Sequence, residues 1–421
     1  MTAERALREA RAWDQASVEA KASAPLLGVP LAVKDLIDVA GAPTTGGSRV
    51  LFDNLPAEDA ETVAVLARSG AITVGKANLH EFAYGTTGEN AHFGTCANAY
   101  DTTRLACGSS SGSAIAVALG LAAAALGTDT GGSVRVPAVM NGLVGIKPTY
   151  GLVPSTGVLP FSWTLDHVGF ITRTIGDGAA LLAAFSGRAP ATTEPRAANG
   201  SRPLGGIRLG VPATLSTDRM DHAVRAAFEH ALRQEAQCGA AIEEVALPDL
   251  AIARTVSLTI QMPEALSFHG GYLERRGELY GPDLRAGLAV GQFLLAEHYL
   301  RAKRLAVRMR RDVDRLFERI DAILTPATPI VAPEFGAAHA FLDGVEEPIG
   351  NALTRYTSLL NVTGHPAVVL PSALHPLGLP MGVQIVGRHF EEGRMLALAR
   401  LIAEEPAFRI PPPSCDRGAE S

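Results

Sequence analysis

Apolar and polar positions fall in blocks whose period changes along the chain. The first block, Ala3 to Lys21, has a helix-forming composition. After Pro30 the run LAVKDLIDVAG is a short apolar strand whose alternation breaks at Lys34 and Asp35. Residues 60–76 combine a helix, ETVAVLARSG closed by Gly70, with the β-prone AITVG, which makes one α/β step. Polar, glycine-rich loops fill Glu81 to Gly112. Residues 113–126 then predict a buried Ala-rich helix leading into an apolar strand, and VRVPAVMNGL opens another helix after the turn GTDTGGS.

Residues 187–206, GRAPATTEPRAANGSRPLGG, are poor in apolar side chains and rich in Pro, Thr and Gly. They predict a surface linker or long loop between a catalytic half and a C-terminal half. Beyond it GIRLGVP predicts a strand, and HAVRAAFEHALRQEAQ a helix with Val224, Ala227, Phe228, Ala231 and Leu232 on one face. A longer helix is predicted over His298 to Ile320 with the strand DAILTP behind it. PAVVLPS and PMGVQIVG are short β-rich runs, EEGRMLALARLIAEE is a last amphipathic helix, and residues 410–421 are expected to be a mobile tail. There is no repeat period. Strands alternating with helices predict an α/β fold with one core over residues 1–421.

Composition narrows the function. Hydrophobic residues are 47% of the chain and charged ones 19%, which excludes a disordered protein. With 37 basic and 43 acidic side chains the net charge is −6, so there is no electrostatic reason to expect nucleic acid or an anionic membrane as a partner. Cys96, Cys107, Cys238 and Cys415 form no CxxC or Cys/His cluster, and no metal site is expected. The start of the chain has no secretory h-region, so a cytoplasmic location is expected.

The chemistry concentrates in two serine loops. Gly108 to Gly112 fits the G-x-S-x-G elbow with Ser110 at its centre, but an elbow needs an apolar strand immediately before it. ANAYDTTRLAC is polar and irregular. A phosphate cradle is weaker still, for no P-loop pattern or nearby lysine accompanies the loop. In the second loop, Gly127 to Ser133, two glycines directly precede a serine, so consecutive N–H groups can converge on one point as an oxyanion hole requires.

The chain resembles the amidase signature family of serine hydrolases. The matching text is GVPLAVKDLIDVAG, ACGSSSGSAIAVALG and LGTDTGGSVRVPA, followed by GIKPTYGLVP, FSWTLDHVGFITRT, LTPATP, NVTGHPAVVLP and GLPMGVQIVG. The resemblance implies a large mixed β-sheet sandwiched between α-helices. It implies a triad of Lys34, cis-serine Ser109 and nucleophile Ser133, with Thr130, Gly131, Gly132 and the Ser133 amide lining the oxyanion hole. Asp129 and Arg135 would hold the nucleophile loop by hydrogen bonds. Cys107 and Ser111 stand where many members have glycine. The N-terminal segment before Lys34 is shorter than in relatives, which implies altered packing or oligomerisation and leaves a homodimer open.

The chemistry also follows from ordinary pKa values. A free lysine amine titrates near about 10.4, so a lysine base must be desolvated to be neutral at pH 7, and the apolar LAV before Lys34 offers that setting. Neutral Lys34 would take a proton from Ser109 as Ser109 takes one from Ser133. No cofactor enters this scheme. His80, His92 and His167 lack metal-ligand spacing and are expected to be structural or pocket-lining.

The expected function is hydrolysis of a small carboxylic amide, or of an ester or carbamate. The alternatives are an A-type subunit that draws ammonia from glutamine for a tRNA amidotransferase, and an inactive binding protein of the same fold. Specificity is expected in residues 261–301. Glutaminase members carry a KRRI-type stretch, and here Ala286 and Gly287 stand at its paired basic positions, with Arg285 one position off. That favours a stand-alone amidase.

Overall fold

Twelve strands are present in the computed structural model, which describes residues 2–186, 203–405, 408 and 410–413. The first seven are β1 (Pro30–Lys34), β2 (Ile72–Ala77), β3 (Ala124–Asp129), β4 (Val144–Lys147), β5 (His167–Thr172), β6 (Arg208–Pro212) and β7 (Ala241–Val245). They are followed by β8 (Ala322–Pro326), β9 (His339–Leu342), β10 (Val345–Pro348), β11 (Ala367–Leu374) and β12 (Pro380–Val386). Ten of these form one mixed sheet in the order β2-β1-β3-β5-β4-β11-β12-β8-β6-β7, and β9 and β10 make a separate hairpin. β1 runs parallel to both β2 and β3, while the middle of the sheet, from β3 to β8, is antiparallel.

Alternate strand residues face opposite sides of a sheet, and here they enter two different cores. Leu31, Val33, Leu126, Ile146, Val368 and Leu370 pack on one side with Val63, Leu181, Phe228 and Leu396 from four helices. Those helices are Glu61–Arg68, Ile175–Ser186, His222–Gln237 and Glu392–Glu404. Ala32, Ala125, Ile171 and Val369 face the other way, against Ala114, Val117, Val136 and Leu353. The sheet is therefore covered on both faces, which is why β3, β4 and β5 are buried along their whole length.

The helix His222–Gln237 forms over the predicted residues, capped by the Asp221 carboxylate on the amides of Ala223 and Val224, and it buries Val224, Phe228 and Ala231. The long helix predicted from His298 runs over Ala296–Leu316. Most of the linker, 187–202, and of the tail, 414–421, lie outside the described residues. At the linker's end Leu204 is buried in the core, and at the tail's start the Pro411 carbonyl accepts a 2.9 Å hydrogen bond from the Tyr100 hydroxyl. No helix among the described residues is long and apolar enough to cross a membrane.

Candidate active site

Three segments converge at the ends of β1 and β3. Lys34 is the last residue of β1 and is fully buried. Its Nζ donates to Ser109 Oγ at 2.7 Å and to Thr128 Oγ1, in β3, at 2.8 Å. The adjacent Asp35 takes no part in this, being paired with Lys76 at 2.8 Å. Burial pushes the Lys34 amine down to about 7, although Asp129 and Asp166 act in the opposite sense. So lowered, the amine can lose its proton far more readily near neutral pH than an ordinary lysine.

Ser109 lies just ahead of the helix Ser111–Ala118, and the Gly108–Ser109 peptide is cis. No strand leads directly into this loop, and the Ser110 hydroxyl is turned inward, donating to the Thr128 carbonyl at 3.3 Å. Gly127 lets the two serine loops approach, because a Cβ there would come within 2.8 Å of Ser110 Oγ. The Ser110 amide then donates to the Ser133 carbonyl at 3.2 Å, tying one loop to the other. Cys107 takes a left-handed φ of 60°, a conformation that costs a non-glycine residue roughly 1–2 kcal/mol. Glycine would suit that position better.

Ser133 sits on the turn between β3 and the helix Arg135–Met140. Gly132 has φ 137°, and a Cβ on it would lie 2.4 Å from Thr357 Oγ1. Thr357 also donates to the Gly131 carbonyl at 2.5 Å, and Thr130 Oγ1 donates to Asp166 at 2.6 Å. Beneath the turn, Asp129 and Arg135 are both fully buried and meet at 2.8 and 3.0 Å. Asn361 and Gln384 satisfy the rest of the guanidinium, at 2.6 and 2.8 Å. Burial alone would raise the Asp129 carboxyl, but Arg135, Lys147 and Asn361 hold it well below the carboxylate range.

The turn opens into a cavity of about 300 Å³ lined by Ser133, Gly131, His80, Tyr84, Phe161 and Gln261 among others. His80 is pushed down to about 4 by burial and by Lys34, so it is neutral there, and its amide donates to the Ser109 carbonyl at 3.1 Å. His92 binds Glu81 at 3.1 Å, and buried His167 has its Nδ1 2.7 Å from the Leu165 carbonyl.

From the segment 261–301, Gln261, Met262 and Asp283 reach the cavity, whereas Arg285 and Ala286 are exposed. The cation on the cavity wall is one that sequence reasoning missed: Arg254, on the helix Leu250–Arg276. Its guanidinium is held by Asn351 at 2.7 Å and by Thr354. Burial brings it down to about 10 against the opposing pull of Glu347, which itself pairs with Arg355.

A mixed sheet under two helical layers, with a buried lysine bonded to a serine beside a glycine-flanked serine turn, is the build of a serine amidase. The model of the amidase family matches residues 1–396, and the chain belongs to that family. It is 39% identical over 407 residues to the A-type subunit of the glutamyl-tRNA(Gln) amidotransferase of Symbiobacterium thermophilum, across 89% of this chain and 82% of that one. A crystal structure of an amidase superposes with TM-score 0.86 at 36% identity, covering 95% of this chain and 89% of the other. The native peptide amidase of Stenotrophomonas maltophilia gives 0.80 at 29% identity, over 98% and 89%.

These relatives correct one expectation. A partner list of small-molecule amide without nucleic acid does not stand beside a relative named as one subunit of an amidotransferase of glutamyl-tRNA. The net charge of −6 misled because it is an average over the whole chain, and says nothing of a partner met through a second protein.

Proposed function

We propose that the chain hydrolyses a carboxylic amide through an acyl-enzyme on Ser133. The observation that carries this is the fully buried Lys34 amine held 2.7 Å from Ser109. In this reading the Ser133 proton passes to Ser109 as the Ser109 proton passes to Lys34, and Ser133 Oγ bonds to the amide carbon. The carbonyl electron pair moves to oxygen, where the amides of Gly131, Gly132 and Ser133 and the Thr130 segment receive it. Return of the proton through Ser109 lets the C–N bond break with the amine leaving neutral, and water repeats the cycle to free the acid. Asp129 and Arg135 act by fixing the turn, since Asp129 also accepts from the Val134 amide at 3.2 Å.

The finer reading is an A-type amidotransferase subunit that takes ammonia from glutamine. The named relative supports it. Arg254 supports it too, as a guanidinium on the cavity wall suited to a substrate carboxylate. A second reading, a hydrolase of some other amide working alone, is favoured by the exposed Ala286 and half-buried Gly287 at the paired basic positions. The test is ammonia release by purified protein from glutamine against a panel of neutral amides, alone and with co-expressed partner proteins. Release from glutamine that rises with partners supports the first reading. Turnover confined to neutral amides supports the second.

A further inference from the structure

A second side-chain cluster lies away from the serine loops, where β11 begins and β12 ends. Ala367 of β11 pairs with Val386 of β12, so residues just before the one strand and just after the other are brought together. His365 and His389 occupy those positions, with ring centroids 3.8 Å apart. Asp314, on the helix Ala296–Leu316, reaches both: its Oδ1 is 3.1 Å from His365 Nε2 and 3.1 Å from His389 Nδ1.

The far nitrogens decide what the near ones can do. His389 Nε2 lies 3.1 Å from the Thr363 carbonyl, which can only accept, so this nitrogen carries the proton. In the neutral ring Nδ1 then holds a lone pair, and it points at a carboxylate oxygen. Two acceptors at hydrogen-bond distance need something positive between them. His365 Nδ1 is 2.9 Å from Thr363 Oγ1, so a single residue orients both imidazoles from behind. Holding the far nitrogen is how proteins fix a metal-binding imidazole.

We propose that His365 Nε2, His389 Nδ1 and Asp314 Oδ1 form a binding site for a divalent transition cation of the zinc or nickel class. Asp314 Oδ1 lies 3.1 Å from each imidazole nitrogen, close to the ligand–ligand edge around an ion about 2.0–2.2 Å from each atom, and the three ligand atoms form one group within 4.8 Å of one another. Two imidazoles and one carboxylate suit a borderline cation better than magnesium or calcium. Asp314 is exposed, which leaves room for water as a further ligand. The cations acting on His365 are Arg310, which is exposed, and Lys147, whose buried amine donates to the Pro148 carbonyl at 3.0 Å. Neither closes the site.

The competing occupant is a proton that makes His389 an imidazolium. Equilibrium dialysis of the full chain against zinc and nickel chlorides, with bound metal counted by mass spectrometry, separates the two. The expected result is one equivalent in the wild type, weakened at least about tenfold in both His389→Ala and Asp314→Asn. These two variants are chosen because His365 is fully buried and its loss risks the fold. No metal bound, or equal binding in wild type and variants, overturns the site. So does nitrogen NMR of the metal-free protein if it shows His389 doubly protonated well above its ordinary pKa of about 6.5. Failure here leaves the amidase reading untouched, since no step of it passes through these residues.

Discussion

Lys34 Nζ and Ser109 Oγ lie 2.7 Å apart, both fully buried, although 75 residues separate them in the chain. A charged ammonium in that place would be a donor only, and the serine could not hand it a proton. The free amine accepts one.

The first consequence is a pH profile. Burial lowers the Lys34 amine to about 7, so its active form is scarce in acid and grows as pH rises through that value. The rate constant kcat/KM should climb about tenfold per pH unit below the midpoint and level off above it. Initial rates between mildly acidic and mildly alkaline buffers check this, and a flat profile with chemistry rate-limiting counts against it. Stability shares the sign. The folded state binds fewer protons than the unfolded one from about pH 7 to about 10.4, so the cost of burying this lysine shrinks as pH rises across that window.

Replacing Lys34 by Ala should lower kcat by about 10²- to 10⁴-fold, the usual value of a positioned base. Ser110→Ala should behave differently. Its hydroxyl only donates to the Thr128 carbonyl, so the variant should keep most of its turnover and lose about 1 kcal/mol of stability. Urea unfolding alongside steady-state rates separates the two effects.

Arg254→Ala should raise KM for a carboxylate-bearing amide about 10- to 100-fold while sparing a neutral amide of similar size. Arg254→Lys should recover only part, because an ammonium lacks the planar fork. Equal loss on both substrates would show that Arg254 merely braces Asn351 and Thr354.

Asp129→Asn strands the buried Arg135 charge and should cost about 3–5 kcal/mol in urea unfolding. The Asp129 carboxyl is depressed in the fold, so its contribution is present above the unfolded pKa of about 3.9 and is lost as pH falls toward the folded value. Acid unfolding of the wild type should therefore be steeper than that of the variant.

Much of the outer fold can be read from the sequence because its segments have a clean period and clear ends. The helix His222–Gln237 shows its apolar face and its Asp221 cap directly. The centre of the sheet is harder: β4 and β5 are buried on both faces, so they have no alternation to betray them. The helix Leu250–Arg276 contains Pro263 and the pair Gly270 and Gly271, residue types that interrupt a helical pattern in a sequence. Its buried positions 253, 256, 257, 260, 261, 264 and 265 do follow a helical period, but that face includes Ser257, Gln261 and Glu264. Polar residues on a core-facing stripe were the available signal for a pocket wall. Arg254 had none, since a single arginine on an amphipathic helix looks like any solvated one. The two serine loops stood out by their glycine and serine content, whereas the roles expected of Lys34 and Ser109 came from the family resemblance; Cys107 takes a left-handed φ of 60° that glycine adopts without strain.

The central claim is that Ser133 carries the acyl group. The most direct test is to treat the protein with a serine-reactive phosphonate and map the adduct by peptide mass spectrometry. A single adduct on Ser133, absent from Ser133→Ala, formed by Ser110→Ala, and forming faster as pH rises through about 7, is the predicted result. An adduct on Ser109 or Ser110 in the wild type, or labelling that survives loss of the Ser133 hydroxyl, would contradict it.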